Sequence, residues 1–175
     1  MTTCIIRPAT LDDCDAIGQV HVAAWQWAYA GLMSQDVLDG LDPTARADNW
    51  RRMFGQDDFA PPFVAVRDDA IVGFAHMSAS RDEDEGAAAG EVTSIYIDKS
   101  VLGSGVGAEL WRAAIEWLAQ HGHDSVSVWV LSSNTRGREF YERMGLAFDG
   151  TVKSNEVRCE LLPHMRYQGP ISSHV

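Results

Sequence analysis

The stretch Val92–Leu110, V-T-S-I-Y-I-D-K-S-V-L-G-S-G-V-G-A-E-L, constrains this chain more than any other. Its first part, Val92 to Ile97, has the β-branched and aromatic character of a strand. A short polar step follows, then glycines at alternate positions 103, 105 and 107, then a helical pattern. Strand, glycine loop and helix start can build an anion site from backbone alone. The first turn of a helix has N–H groups without intrahelical acceptors, and its dipole favours negative charge there. Glycine removes the Cβ that would hold a phosphate away. The segment predicts a phosphate-bearing small-molecule ligand.

Spacing separates the loops that do this. A P-loop places Lys and Ser/Thr directly after its last glycine; here Ala108 and Glu109 follow. A dinucleotide loop reads G-x-G-x-x-G tight against its strand, with an acid about 20 residues on at the end of the next strand. Here the spacing is G-x-G-x-G, Asp98 to Leu102 intervene, and Asp124 precedes its strand instead of ending it. A nucleotide-dependent oxidoreductase is therefore a rival with three mismatches.

Leu102-Gly103-Ser104-Gly105-Val106-Gly107 resembles the pyrophosphate loop of the GNAT family of N-acetyltransferases, Arg/Gln-x-x-Gly-x-Gly/Ala, with Leu102 in the Arg/Gln place. Asn134 to Leu146 is similar to the family's N-x-x-A-x-x-F-Y-E-K-x-G-F segment, with Gly137 for Ala and Leu146 for Phe. Ile6-Arg7-Pro8-Ala9-Thr10, Asp12-Asp13, Trp25 and Tyr29-Ala30-Gly31 are similar to the opening of many bacterial members. The three matches fall in family order. They imply a three-layer α+β fold, one domain over residues 1–175 with its core at about 4–168. Its sheet would be mixed and mostly antiparallel, with about seven strands and about four helices, and splayed beside the glycine-loop strand to admit a pantetheine arm.

The resemblance also implies roles. Acetyl-CoA would lie along Leu102, Gly103, Ser104, Gly105, Val106, Gly107 and Ala108. Main-chain groups of Ile95 and Ile97 would meet the arm and polarise the thioester, and a local bulge would free an N–H as oxyanion donor. Asn134 would touch the cofactor as well as cap a helix. A primary amine of a small molecule or peptide would attack the thioester directly. Tyr141 would protonate the thiolate as general acid, and Glu91 or water would take the amine's proton. Trp25 and Tyr29, four apart on one helix face, would line an acceptor pocket or pack in the core. A non-catalytic acyl-CoA-binding module on the same fold is the alternative; it would keep the glycines without needing Tyr141. The resemblance also admits a homodimer.

Net charge is −11, which argues against a nucleic-acid partner. Residues 1–97 hold 16 acids and 6 bases, whereas residues 98–145 hold 6 and 5. The acidic half would attract a cationic acceptor or simply form a solvated surface. Cys4, Cys14 and Cys159 lack metal or C-x-x-C spacing and read as small buried hydrophobes in a reducing compartment. The six histidines show no metal spacing, so no metal is expected. With no apolar run long enough to span a bilayer and no secretory pattern at Met1–Arg7, the expectation is a cytoplasmic protein without membrane partners.

Periodicity places the remaining elements. Cys4–Arg7 is a strand. Thr10 to Asp13 forms a capping box that opens a helix stopping near Gly31. A helix spans Pro43–Phe54 behind Asp42, and Phe63–Val66 and Ile71–Ser78 make a hairpin. Arg81 to Gly86 reads as a mobile, exposed charged loop. A helix runs from Gly103 to His121, a strand from Ser125 to Leu131, and a helix starts behind Asn134. Strands follow near 147–153 and 160–167, with a frayed tail from Gly169.

Overall fold

A computed structural model describes residues 4–157 and 160–171. The strands are β1 (Ile5–Pro8), β2 (Phe63–Arg67), β3 (Ala70–Ala79), β4 (Ala89–Ile97), β5 (Ser125–Leu131), β6 (Ala147–Val157) and β7 (Glu160–Pro170). They form one seven-stranded sheet in the order β1-β2-β3-β4-β5-β7-β6. Only β4 and β5 run parallel. The helices are α1 (Cys14–Ala28), α2 (Gln35–Asp39), α3 (Pro43–Phe54), α4 (Val106–Gln120) and α5 (Thr135–Arg143). The mixed, mostly antiparallel α+β sheet matches the sequence expectation. The additional helix is α2, whose five residues are too few to show a period.

Alternation along β3 divides the core. Phe74 points to one face, where it packs with Val64, Ile17 and Val20 of α1 and Trp50 of α3. Ala75 and Met77 point to the other, against Leu110, Ala114 and Leu118 of α4. Those α4 positions recur every fourth residue and make one buried stripe. Burying each leucine contributes about 1.5–3 kcal/mol.

Several boundaries differ from expectation. β4 begins at Ala89, three residues before Val92, because buried small residues carry little β signal. α4 begins at Val106, so Gly103 to Gly105 form a loop ahead of the helix. A short 3-10 turn, Lys99–Val101, precedes that loop, with the Asp98 carboxylate accepting from the Ser100 amide at 2.8 Å. β7 continues to Pro170, so Gly169 and Pro170 are paired, not frayed. Residues 172–175 and Cys159 lie outside the described residues. Cys14 is buried and Cys4 half-buried.

The charged loop is exposed at Arg81, Glu83, Asp84 and Gly86, as expected, but its side chains also dock it onto the sheet. Arg81 pairs with Glu91, and Asp82 accepts from Trp129 Nε1 at 2.7 Å. Asp84 receives two bonds from Arg166, at 2.7 and 2.6 Å, and Glu85 accepts from Ser127 at 2.8 Å. A charge run reads as solvated only when its counter-ions are local; here they come from β4 and from the distant β7.

The capping box forms as expected, though through a 3-10 turn (Leu11–Asp13) rather than directly on α1. Asp13 accepts from the Thr10 amide at 2.7 Å and from both terminal nitrogens of Arg7, at 2.7 and 2.9 Å. The Arg7 hydrogen bonds, against some burial, hold the Asp13 carboxyl down to about 2. The stabilisation is thus full above the ordinary aspartate range and is lost as pH falls through the folded value. Because Arg7 is partly exposed, Asp13→Asn is expected to cost roughly 1 kcal/mol at neutral pH. In urea titrations the gap to wild type should narrow as pH drops from about 4 towards 2. A gap independent of pH would show that the ion pair is not its cause.

Candidate active site

β4 and β5 pair over three rungs only, Ala89↔Ser125, Gly90↔Val126 and Glu91↔Ser127. Beyond Glu91 they part. Just past the fork β4 is bulged: His76 of β3 faces Ser94 and Met77 faces Val92, which leaves Thr93 without a partner. A bulge bends a strand and increases its twist. The parted strands flank a cleft of about 920 Å³, with Val92 to Ile97 on one side and Trp129 and Val130 on the other. From Val92 onward the β4 edge towards β5 has no strand partner, so its main-chain groups can receive an extended, amide-bearing chain.

The glycine loop borders the same cleft. Gly103 and Gly105 adopt φ of +74° and +93°, in the left-handed region. A Cβ at either would meet nothing within 4 Å. The backbone conformation, not crowding by protein, therefore calls for glycine. Among the described residues, the amides of Gly103, Gly105, Val106 and Gly107 have no protein acceptor, whereas Ser104 donates to Val101 and Ala108 to Gly105. Free donors at the start of a fifteen-residue helix form an anion cradle. Leu102, Gly103, Gly105, Gly107 and Ala108 line the cleft, as does Lys99 just upstream. The Ser104 hydroxyl turns away to the Val101 carbonyl at 2.6 Å, and Val106 is buried in the core. Neither side chain reaches the cleft, so any contribution is through the backbone.

Ile95, Ile97, Asn134 and Tyr141 line the cleft. The Asn134 side chain also caps α5, accepting from the Gly137 amide at 3.0 Å. Burial, with Tyr96 nearby, pushes the Tyr141 phenol well above its ordinary value, so it keeps its proton throughout the neutral range. No hydrogen bond from its hydroxyl to protein is present among the described residues.

Glu91 is placed differently. It is 2% exposed, at the last rung before the fork, and Arg81 grips its two oxygens at 2.9 and 2.6 Å. It is not among the residues lining the cleft. This placement makes Glu91 the buried half of an ion pair with the exposed Arg81 and gives no support to its taking a substrate proton.

Trp25 and Tyr29 share a face and meet edge-on at 5.1 Å, but only Tyr29 reaches the cleft. Trp25 stands behind it, near Tyr96 and under Arg46. Trp27, Arg136 and Arg143 also line the cleft, as do Tyr96 and Trp129, which were not among the expected site residues. Trp129 was within reach of the β5 alternation, because Val126, Val128 and Val130 occupy the opposite face. It is fixed by Asp82 at its indole nitrogen and by Lys153 Nζ, 3.7 Å from its ring centroid. Trp27 carries the Arg136 guanidinium 5.4 Å from its ring centroid. The charged lining residues are Lys99, Arg136 and Arg143, with no carboxylate. The acidity of the first half therefore does not reach the cleft; several of its acids are held by Arg7, Arg51, Arg81 and Arg166.

Comparison with known proteins agrees with this geometry. Residues 22–146 match the profile of the Acetyltransferase (GNAT) family. The N-acetyltransferase YuaI of Bacillus subtilis is 32% identical over 130 residues, covering 74% of this chain and 72% of YuaI. Mycothiol acetyltransferase of Propionibacterium freudenreichii is 35% identical over 108 residues, which cover 60% of this chain and 34% of that longer protein. PaiA N-acetyltransferase from Thermoplasma acidophilum, solved with coenzyme A, superposes with a TM-score of 0.75 at 17% identity, covering 94% of this chain and 98% of that one. YncA from Salmonella typhimurium, solved with acetyl-CoA, gives 0.67 at 19% identity, covering 98% and 95%. The chain belongs to the GNAT acetyltransferase family.

Proposed function

We propose that this GNAT protein transfers the acetyl group of acetyl-CoA to a primary amine by direct attack. The observation that carries the reading is the meeting of four acceptor-free amides, an unpaired β4 edge and a protonated phenol around one cleft. The amides at Gly103 to Gly107 suit a diphosphate, and Lys99 offers the cation that Leu102 lacks. The free edge from Val92 to Ile97 suits the amides of a pantetheine arm. Acetyl-CoA supplies an activated thioester; the remaining work falls to the chain.

Main-chain groups beside the bulge at Thr93 hold and polarise the acyl carbonyl. The amine nitrogen bonds to that carbon, the carbon–sulfur bond breaks, and an amide and a thiol result. Tyr141 protonates the departing sulfur and is recharged by solvent. Because Arg81 occupies Glu91, water takes the proton that the amine loses. Neither Cys4 nor Cys14 lines the cleft, which supports direct transfer over a cysteine-bound acyl group.

The acceptor side has aromatic walls, with Trp27, Tyr29 and Trp129, and no carboxylate among its lining residues. That supports an amine without further positive charge, since Arg136 and Arg143 would repel a polycation. A Tyr141 hydroxyl in the cleft lining without a protein partner among the described residues favours an enzyme over a binding module. One continuous sheet supports a single domain. Free thiols at Cys4 and Cys14, and no helix among the described residues long and apolar enough to cross a membrane, fit the proposed cytoplasmic location.

Two variants test the reading. Tyr141→Phe is expected to lower kcat for thiol release about 100-fold, with little change in KM for acetyl-CoA. Unchanged kcat over an amine panel would remove the acid role. Gly105→Glu places a like charge beside the cradle. It should abolish calorimetric acetyl-CoA binding and, from the positive φ, cost roughly 1–2 kcal/mol of stability. Unchanged affinity would show that the diphosphate binds elsewhere.

A further inference from the structure

Thr93 has no partner in β3 for its backbone, but its side chain is engaged. Its Oγ1 lies 2.6 Å from Nδ1 of His76 and 3.3 Å from the His76 carbonyl oxygen. His76 is 7% exposed. Its ring stacks on Phe59, with centroids 5.2 Å apart and planes at 18°, and meets Trp50 nearly at right angles at 5.6 Å. The Thr93 hydroxyl is thus tied to both the ring and the main chain of His76, donating to the carbonyl and hydrogen-bonded to Nδ1. Burial first, then the nearby Arg81 cation, pushes the imidazole down to about 4, against smaller opposing effects of Ala60 and Glu91. The ring is therefore neutral at physiological pH.

This pair sits where β4 has a choice. A bulge can settle on neighbouring residues of a strand, and each position turns the side chains and main-chain groups beyond it to a different face. The two strands beside β4 do not fix it, because β5 has departed after Glu91 and β3 merely skips a residue. A hydroxyl at 93 hydrogen-bonded to an immobilised imidazole at 76 selects one position. Val92 is then directed into the core, at 3% exposure, and Thr93 towards His76.

We propose that His76 and Thr93 are positioning residues: their hydrogen bond locks the β4 bulge and so aims the main-chain groups that receive the acyl carbonyl. The proposal rests on the acetyl-transfer reading. Neither side chain need touch the reacting atoms. Misplacement of a reacting group by about 1 Å can cost 100-fold in rate, so a lock on the strand acts on turnover more than on binding.

The test compares wild type with Thr93→Val, Thr93→Ser and His76→Phe. Valine keeps the shape and loses the hydroxyl, serine keeps the hydroxyl, and phenylalanine keeps the packing between Phe59 and Trp50. Thr93→Val and His76→Phe are expected to lower kcat at least ~10-fold, with acetyl-CoA Kd and KM within about twofold of wild type. Thr93→Ser should restore kcat to within about threefold. Nitrogen NMR of the wild-type imidazole should show a neutral ring with a hydrogen-bonded Nδ1, whose signal moves in Thr93→Val. Wild-type kcat in Thr93→Val, or no rescue by serine, overturns the lock while leaving acetyl transfer intact. If Thr93→Val does not fold, His76→Phe and the serine variant decide in the same way. A wild-type protein that neither binds acetyl-CoA nor acetylates any amine overturns both readings.

Discussion

The parting of β4 from β5 is the constraint from which the rest follows. A parallel pair normally continues its ladder, because each unpaired backbone group away from water is costly. Here the ladder stops after Glu91↔Ser127. The sheet is therefore two blades, β1 to β4 and β5-β7-β6, joined by three rungs. A fork of this kind exposes main-chain polar groups on its inner edge. A ligand with amides along its length can satisfy them, and an aliphatic ligand cannot.

Two blades joined so briefly need another tie. The acidic loop supplies it, since Asp82 and Asp84 precede β4 while Lys153, Arg166 and Trp129 belong to the far blade. Arg166 is the hub, its guanidinium raised chiefly by the Asp84 hydrogen bonds, with Asp149 at 2.6 Å on the other side. Although burial pushes the Asp149 carboxyl up, hydrogen bonds from Thr151 and Arg166 leave it below the ordinary range. A network of this kind contributes modest net stability, because desolvation offsets most of the attraction. Its value here is directional: bidentate bonds fix an angle between blades that apolar packing would leave looser. The same loop holds Trp129 at the cleft wall.

Charge is divided in a similar way. The protein carries −11 overall, yet the charged lining residues of the cleft are cations. A polyanionic ligand meets repulsion only at long range, and at physiological salt that is screened beyond about 8 Å. At contact distance the helix start, the free amides and Lys99 decide.

The elements with a strong period were legible from sequence: α1, α3, α4, the β2–β3 hairpin and the β5 alternation. So was the anion loop, because the need for positive φ at Gly103 and Gly105 is a local property that glycine announces. Asn134 and Tyr141 could be placed through their spacing within a motif. Glu91 could not be judged the same way. Its neighbours in sequence say nothing of Arg81, whose side chain returns ten residues across a loop to grip it. The docking of the charged loop was out of reach for the same reason, since its partners lie on β7 and β5, more than forty residues on. His76 gave no signal at all; one histidine in a strand is unremarkable until a bulge on the neighbouring strand brings Thr93 to its ring.

The sequence by itself therefore determined the elements with a strong period, the glycine loop ahead of α4 and the family, all of which rest on local conformational preference and spacing. Tertiary structure alone decided where the sheet forks, which carboxylates are consumed by arginines, and which aromatics reach the cleft. Those outcomes depend on pairings between residues distant along the chain, which no short-range pattern encodes.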